Sequence, residues 1–237
     1  MSKVKLPVML AVLGVAAMLL TGCPGNRTTT TGETQKITEV TADTCTTTAE
    51  PDFGTTAAKP VIYLYPEEKS QISVSLDFNG RLSCTYPEYG SGWTVTADPD
   101  GTLINQADGK EYSYLYWEGV SSTAYDMSRG FVVKGEDTAA FLQEKLAAIG
   151  LTPKEYNEFI VYWLPQMQDN TYNLITFQNE EYTDSAVLTI VPEPDSILRV
   201  FMVYTPLEQY MEIEPQILPE FHREGFTAVE WGGSCIE

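Results

Sequence analysis

The stretch FLQEKLAAIGLTPKEYNEFIVYWLP, residues 141–165, decides the fold class. Phe141, Leu142, Lys145, Leu146 and Ile149 fall on one stripe at helical spacing, and Gly150 supplies the stop. Lys145 fits that stripe because its methylene stem can be buried while its ammonium stays in water. Thr152-Pro153-Lys154-Glu155 then combines a capping-box pattern with proline at the first helical position. The second helix is expected to run to Leu164 and to end at Pro165. Tyr156, Phe159, Ile160 and Trp163 form its stripe, and Val161, Tyr162 and Leu164 add apolar surface elsewhere. A helix apolar most of the way round is usually buried. The segment predicts a helical hairpin packed on a sheet.

Upstream the periodicity is two. Ile72, Val74, Leu76 and Phe78 alternate with Ser73, Ser75 and Asp77, the pattern of a half-buried strand. Asn79-Gly80 follows as a hairpin signal, because both positions tolerate positive φ, with Arg81–Tyr86 as the return strand. A second hairpin is expected between Trp93–Ala97 and Thr102–Asn105, turning at Asp98-Pro99-Asp100-Gly101. A third turns at Asp108-Gly109 into Tyr112–Trp117. Downstream, strands are expected at Tyr172–Phe177, Ala186–Val191, Ile197–Tyr204 and Phe226–Trp231. Strands, a central helical hairpin and further strands read as an α+β domain of antiparallel β-sheets, with an N-terminal meander of hairpins.

The chain opens with Lys3 and Lys5, an apolar run from Leu6 to Leu20, and Leu20-Thr21-Gly22-Cys23. A basic head, a mid-length apolar segment and small residues describe a secretory signal peptide. The apolar run is about fifteen residues, short of the ~20 that span a bilayer as a helix. Its Leu-Thr-Gly-Cys ending resembles the bacterial lipobox, which implies a diacylglycerol on Cys23, cleavage after Gly22 and acylation of the new amino terminus. Two or more acyl chains anchor a protein stably. The expected protein faces outside the cytoplasm, held to the membrane by its lipid.

Residues 1–22 are thus the signal peptide, and 23–58 the lipidated cysteine and a tether. Thr fills thirteen of the 35 positions from Pro24 to Ala58, and such a segment buries too little apolar surface to order itself. Residues 59–237 form the expected single extracytoplasmic domain. The formal charge is −19. This acidity disfavours nucleic acid and anionic headgroups, which leaves acyl chains as the membrane contact. With Cys23 lipidated, Cys45, Cys84 and Cys235 remain; Cys84–Cys235 is the first disulfide candidate because both lie in the domain.

Four segments carry a family resemblance: Lys59-Pro60-Val61-Ile62-Tyr63-Leu64-Tyr65-Pro66, Tyr114-Leu115-Tyr116-Trp117-Glu118-Gly119, Asn157-Glu158-Phe159-Ile160-Val161-Tyr162-Trp163-Leu164-Pro165, and Val229-Glu230-Trp231-Gly232-Gly233. Together they resemble a family of uncharacterised bacterial secreted proteins and lipoproteins. The likeness spans the expected domain and implies secretion, with no activity or catalytic residue attached.

Several residues suggest chemistry. His222 is the only histidine, so a hydrolytic triad would need it, yet Glu220, Phe221, Arg223 and Glu224 make its surroundings a polar connecting segment. Asp98-Pro99-Asp100-Gly101 lacks the further ligands of a calcium loop and reads as a turn. No metal site or cofactor motif is recognisable: there is no Walker loop, dinucleotide fingerprint, CxxC or His-Glu-x-x-His. Glu118 and Glu230 each adjoin a tryptophan at the expected end of a strand, and paired carboxylates about 5–9 Å apart can hydrolyse glycosides. Asp169 is a further acid. Glu158, on a largely apolar helix, needs a partner if buried, and Arg199 is the candidate because it interrupts an apolar strand. Tyr112, Tyr114 and Tyr116 share one side of a strand, and Tyr63 and Tyr65 repeat the spacing. Such rows either pack beneath the helical hairpin or offer flat faces and hydroxyls to a sugar.

The reading that follows is a surface module whose domain binds an extracellular glycan or protein. A secreted glycosidase-like hydrolase using Glu118 and Glu230 is the rival, and a structural envelope component the third possibility.

Overall fold

A period-two pattern tells which face of a strand is buried; which sheet it joins depends on its partners. In the computed structural model, which describes residues 54–236, twelve strands and three helices follow in the order β1 (Thr55–Tyr65), β2 (Ser70–Phe78), β3 (Gly80–Tyr86), β4 (Trp93–Ala97), β5 (Leu103–Asn105), β6 (Glu111–Tyr112), β7 (Leu115–Ser121), β8 (Phe131–Lys134), α1 (Thr138–Ile149), α2 (Pro153–Met167), β9 (Tyr172–Gln178), α3 (Glu180–Ser185), β10 (Ala186–Val191), β11 (Ser196–Leu207) and β12 (Thr227–Cys235). They build a seven-stranded sheet, β3-β7-β1-β12-β11-β9-β8, and a five-stranded sheet, β10-β2-β4-β5-β6. Pairing is antiparallel except between β11 and β12. The expected signal peptide, Cys23, Cys45 and most of the Thr-rich segment lie outside the described residues. Thr55–Ala58, expected in the tether, belong to β1.

The large sheet is buried on both faces. On one side Ile62, Leu64, Trp117, Phe201 and Val203 meet Ile72, Val74, Trp93 and Leu103 of the small sheet. On the other, Val61, Tyr63, Val229 and Trp231 meet Leu142, Leu146, Phe159 and Trp163 of α1 and α2. That explains why residues 60–64 carry no polar interruption: a strand covered on both faces has no solvent side to mark. The protein is mostly strand, with few helices.

Of the three expected hairpins, one does not form and another is shorter than expected. β2 pairs with β4 and β10 in the small sheet, whereas β3 pairs with β7 in the large one. Asn79-Gly80 is therefore a corner between sheets, and Gly80 takes no positive φ. Glycine serves there for close approach: a Cβ on Gly80 would lie 2.7 Å from the Phe78 ring, and one on Gly119 would also strike that ring. The hairpin at Asp108-Gly109 closes, with Gly109 at φ 68° and β5 paired antiparallel to β6, but its return strand stops at Tyr112, and Leu115 starts β7 in the large sheet. The hairpin at Asp98–Gly101 forms as expected. Gly101 has φ 90°, its N–H donates to the Asp98 carbonyl at 2.9 Å, and β4 and β5 pair antiparallel.

The second helix begins where its cap directs. The Thr152 N–H donates to Glu155 Oε2 at 2.7 Å, and Pro153 opens α2. The helix passes Pro165 and ends at Met167. Proline removes a bond to the carbonyl of residue 161, and Val161 is on the exposed side of the helix, 75% accessible, so the helix loses that bond at its solvent face.

Candidate aromatic cleft

β1 carries an irregularity that builds the site. Its register shifts between Ala57 and Val61 against β7, and between Ala58 and Val61 against β12, so one extra residue is accommodated against both neighbours. Lys59 sits in this bulge at φ 56°, the one non-glycine described with positive φ. Its N–H donates to Glu118 Oε1 at 3.2 Å. Opposite, Trp231-Gly232-Gly233 leaves the required space. A Cβ on Gly232 would lie 2.9 Å from Pro60, and one on Gly233 would lie 2.7 Å from the Trp163 ring.

The bulge aims Lys59 along the surface between β7 and α2. Its ammonium lies 5.6, 5.8 and 5.5 Å from the ring centroids of Tyr114, Tyr116 and Tyr162, within the range of cation–π attraction. Among the described residues it forms no salt bridge. An open cleft of about 450 Å³ is lined by Lys59, Tyr114, Asn157, Glu158, Val161 and Tyr162. Behind it, Tyr63 donates its hydroxyl to Glu158 Oε2 at 2.9 Å, meets Tyr114 edge-on at 5.4 Å and stacks on Tyr65 at 6.1 Å. Burial, then Glu158, pushes the Tyr63 phenol well above its ordinary value. Burial and the Glu118 carboxylate do the same to Tyr116. Both remain protonated donors at any physiological pH. Aromatic faces, an ammonium, a carboxylate and an amide converge on one concavity. Those are the groups that hold a polyhydroxylated ring: flat apolar surface for its C–H face, donors and acceptors for its hydroxyls.

The four segments quoted for the resemblance meet here: Lys59 and Tyr63 from the first, Tyr114, Tyr116 and Glu118 from the second, Asn157 to Tyr162 from the third, Gly232 and Gly233 from the fourth. Lys59, Asn157, Val161 and Tyr162 were not among the expected site residues. Nothing in the one-dimensional pattern marks Lys59 as left-handed, and Tyr162 looked like surplus apolar area on a buried helix.

Other expectations are corrected. Glu118 and Glu230 stand on opposite faces of the large sheet. Trp117 and Ala228 belong to the core between the sheets, Tyr116, Val229 and Trp231 to the helix side, so alternation sends Glu118 to the helix side and Glu230 inward. They share no catalytic space. Glu230 is 1% exposed, accepts from Trp117 Nε1 at 3.1 Å and pairs with Arg199 Nε at 2.7 Å. Arg199 is therefore the partner of Glu230, not of Glu158, and its guanidinium lies 4.8 Å from the Tyr182 ring. Burial pulls the Arg199 guanidinium down, but Glu230 and Tyr182 outweigh it and the net shift is upward. Asp169 is exposed in the turn after α2, away from these carboxylates' networks. Tyr112 leaves the tyrosine row entirely and donates to Asp108 Oδ2 at 2.6 Å in the small sheet. Tyr65 is half-buried beside Arg223, whose guanidinium holds the buried Glu155. Cys84 and Cys235 are exposed free thiols. They lie on β3 and β12, separated by β7 and β1, and three strand spacings, about 14 Å, exceed the ~7 Å Cα reach of a disulfide.

No family model matches the chain, and no solved structure does. A Butyrivibrio fibrisolvens protein described as "Uncharacterized protein in bglA 3'region" is 52% identical over 64 residues. That match covers 26% of this chain and 65% of the relative's length. It brings no activity with it.

Proposed function

We propose that this is a membrane-anchored extracytoplasmic module that binds a glycan in the Lys59 cleft. The carrying observation is the set of half-exposed tyrosines, Tyr114, Tyr116 and Tyr162, gathered around one ammonium at the edge of a 450 Å³ cleft. The lipobox-like Leu20–Cys23 and the Thr-rich segment after it support a surface location. In this reading the domain is α+β, with α1 and α2 as a central helical hairpin whose second helix forms one wall of the site. The uncharged π faces and the opposed Lys59 and Glu158 suit a neutral sugar ring better than a polyanion, which an acidic chain repels.

Co-sedimentation of the full chain, in mild detergent, with insoluble cellulose, xylan, chitin and peptidoglycan tests the proposal. Saturable binding to one polymer, lost in Tyr162→Ala and Tyr114→Ala variants that melt within a few degrees of the parent, is the expected result. No binding to any polymer refutes it, and leaves a protein ligand as the occupant of the cleft.

A further inference from the structure

Two sheets present four edge strands: β3 and β8 on the large sheet, β10 and β6 on the small one. Exposed edges invite pairing with other chains, and proteins commonly blunt them with charge. β3 carries Arg81, β8 carries Lys134 and β6 carries Glu111. β10 reads Ala-Val-Leu-Thr-Ile-Val without a charge. It is six residues long, bonded to β2 on one side only, and Val187 and Val191 are 48% and 59% exposed.

A groove of about 530 Å³ runs beside this strand, lined by Leu188, Thr189, Ile190, Val191, Pro194 and Ile197, with Glu193 at one end. Between Asn179 and Leu198 there is no basic residue, while Glu180, Glu181 and Asp184 precede the strand and Glu193 and Asp195 follow it. On the neighbouring strand, Asp77 stands opposite Val187 and is exposed. The result is an apolar hydrogen-bonding edge bracketed by acid at both ends.

We propose that the β10 edge is a docking site for an extended segment of another protein, apolar at alternate positions and basic at both ends. The segment adds a sixth strand to the small sheet. Its backbone pairs with the free N–H and C=O groups of β10, and its inward side chains fill the groove against Leu188, Ile190 and Ile197. Its terminal Lys or Arg residues face Glu181 and Asp184 at one end and Glu193 and Asp195 at the other. A second copy of this chain is the wrong occupant. Antiparallel pairing of two β10 strands lays Asp184 of one beside Glu193 of its twin, acid against acid at both ends.

The test uses the full chain and a fluorescent peptide, Lys-Lys-Val-Thr-Val-Ser-Val-Lys-Lys, with two comparators: the same core flanked by glutamates, and the lysine peptide N-methylated at alternate backbone positions. Fluorescence anisotropy should give saturable binding of the lysine peptide, weakened at least tenfold by glutamate flanks and by N-methylation. Hydrogen exchange should show new protection confined to β10. Thr189→Lys, a change at an exposed side chain, should abolish binding with an unchanged melting temperature. If that variant unfolds, Val191→Lys asks the same question at the strand's end. Equal binding of the N-methylated peptide, or no binding of the lysine peptide, overturns the proposal. So does a dimer of the chain that Thr189→Lys dissociates, since it assigns the edge to a second copy.

Discussion

Lys59 offers a stability measurement whose sign tests the bulge directly. At φ 56° a side chain with a Cβ meets the following carbonyl, which costs about 1–2 kcal/mol. Glycine escapes that cost but loses about 0.5–1 kcal/mol more backbone entropy on folding than alanine does. The net expectation is that Lys59→Gly is more stable than Lys59→Ala by about 0.5–1 kcal/mol. In a regular strand the order is reversed by a similar amount. Both variants lose the ammonium and its contacts with Tyr114, Tyr116 and Tyr162, so their difference isolates the backbone. The assay is urea unfolding of the two variants, with thermal melts as a check; the expected gap is about 1–4 °C for a domain of this size. Ser75→Gly against Ser75→Ala, at an exposed position in the regular strand β2, supplies the control with the opposite order. A Lys59→Ala variant as stable as Lys59→Gly would refute the left-handed bulge, and with it the account of how the cleft is aimed.

Glu230→Gln leaves Arg199 charged and unpaired in the core, and should cost about 3–5 kcal/mol in urea unfolding; a loss under 1 kcal/mol would show that the pair is not buried as described. Replacing both partners together, Glu230→Leu with Arg199→Met, should recover most of that loss. Tyr63→Ala empties a fully buried site and should cost about 3–5 kcal/mol, whereas half-exposed Tyr114→Ala should cost less than half as much; equal losses would place Tyr114 in the core and remove it from the cleft. Cys84 and Cys235 should both react with maleimide in the native protein, and protection of either until denaturation would contradict their exposure.

Local chemistry was legible in the sequence wherever one element sufficed. Thr152-Pro153-Lys154-Glu155 started α2, Gly150 stopped α1 with φ 120°, and Asp98–Gly101 closed the β4–β5 hairpin. Apart from α2 running past Pro165 and β1 starting at Thr55, the failures concern which sheet a strand joins. Asn79-Gly80 meets every local requirement of a hairpin, but Phe78 packs over Gly119 and Trp117 of the large sheet, and those partners lie far along the chain. The Tyr112–Trp117 run reads as one strand, yet it crosses from one sheet to the other at Ser113-Tyr114, and Tyr112 joins the core of Leu115 and Trp117 while Tyr114 and Tyr116 take the helix side. Glu118 and Glu230 illustrate the same limit for a site. Each follows from its neighbours that it lies beside a tryptophan, but their opposite faces depend on two registers, β7 on β1 and β1 on β12. The pairing of Arg199 with Glu230 depends on the parallel register of β11 with β12.

The bulge at Lys59 has a cause in the layers themselves. Ala57 and Val61 are four residues apart, which on a regular strand places them on the same face. Here Ala57 is buried between the sheets while Val61 is buried beneath the helices. The inserted residue reverses the alternation, so that Thr55–Ala57 can continue pairing with β7 with Ala57 turned inward. Without it, Ala58 and Thr56 would turn inward and Ala57 would take the helix side. A strand that must change phase concentrates the change at one residue, and that residue's side chain leaves both regular rows. Lys59 is the residue so released, directed over Tyr114, Tyr116 and Tyr162 instead of into either core. The space for its neighbour Pro60 comes from Gly232, and the Gly233 site receives Trp163 of the helix that walls the cleft. The same glycines that permit the phase change therefore also bring the helix close enough to wall the cleft, which ties the proposed binding surface to the packing of the central strands.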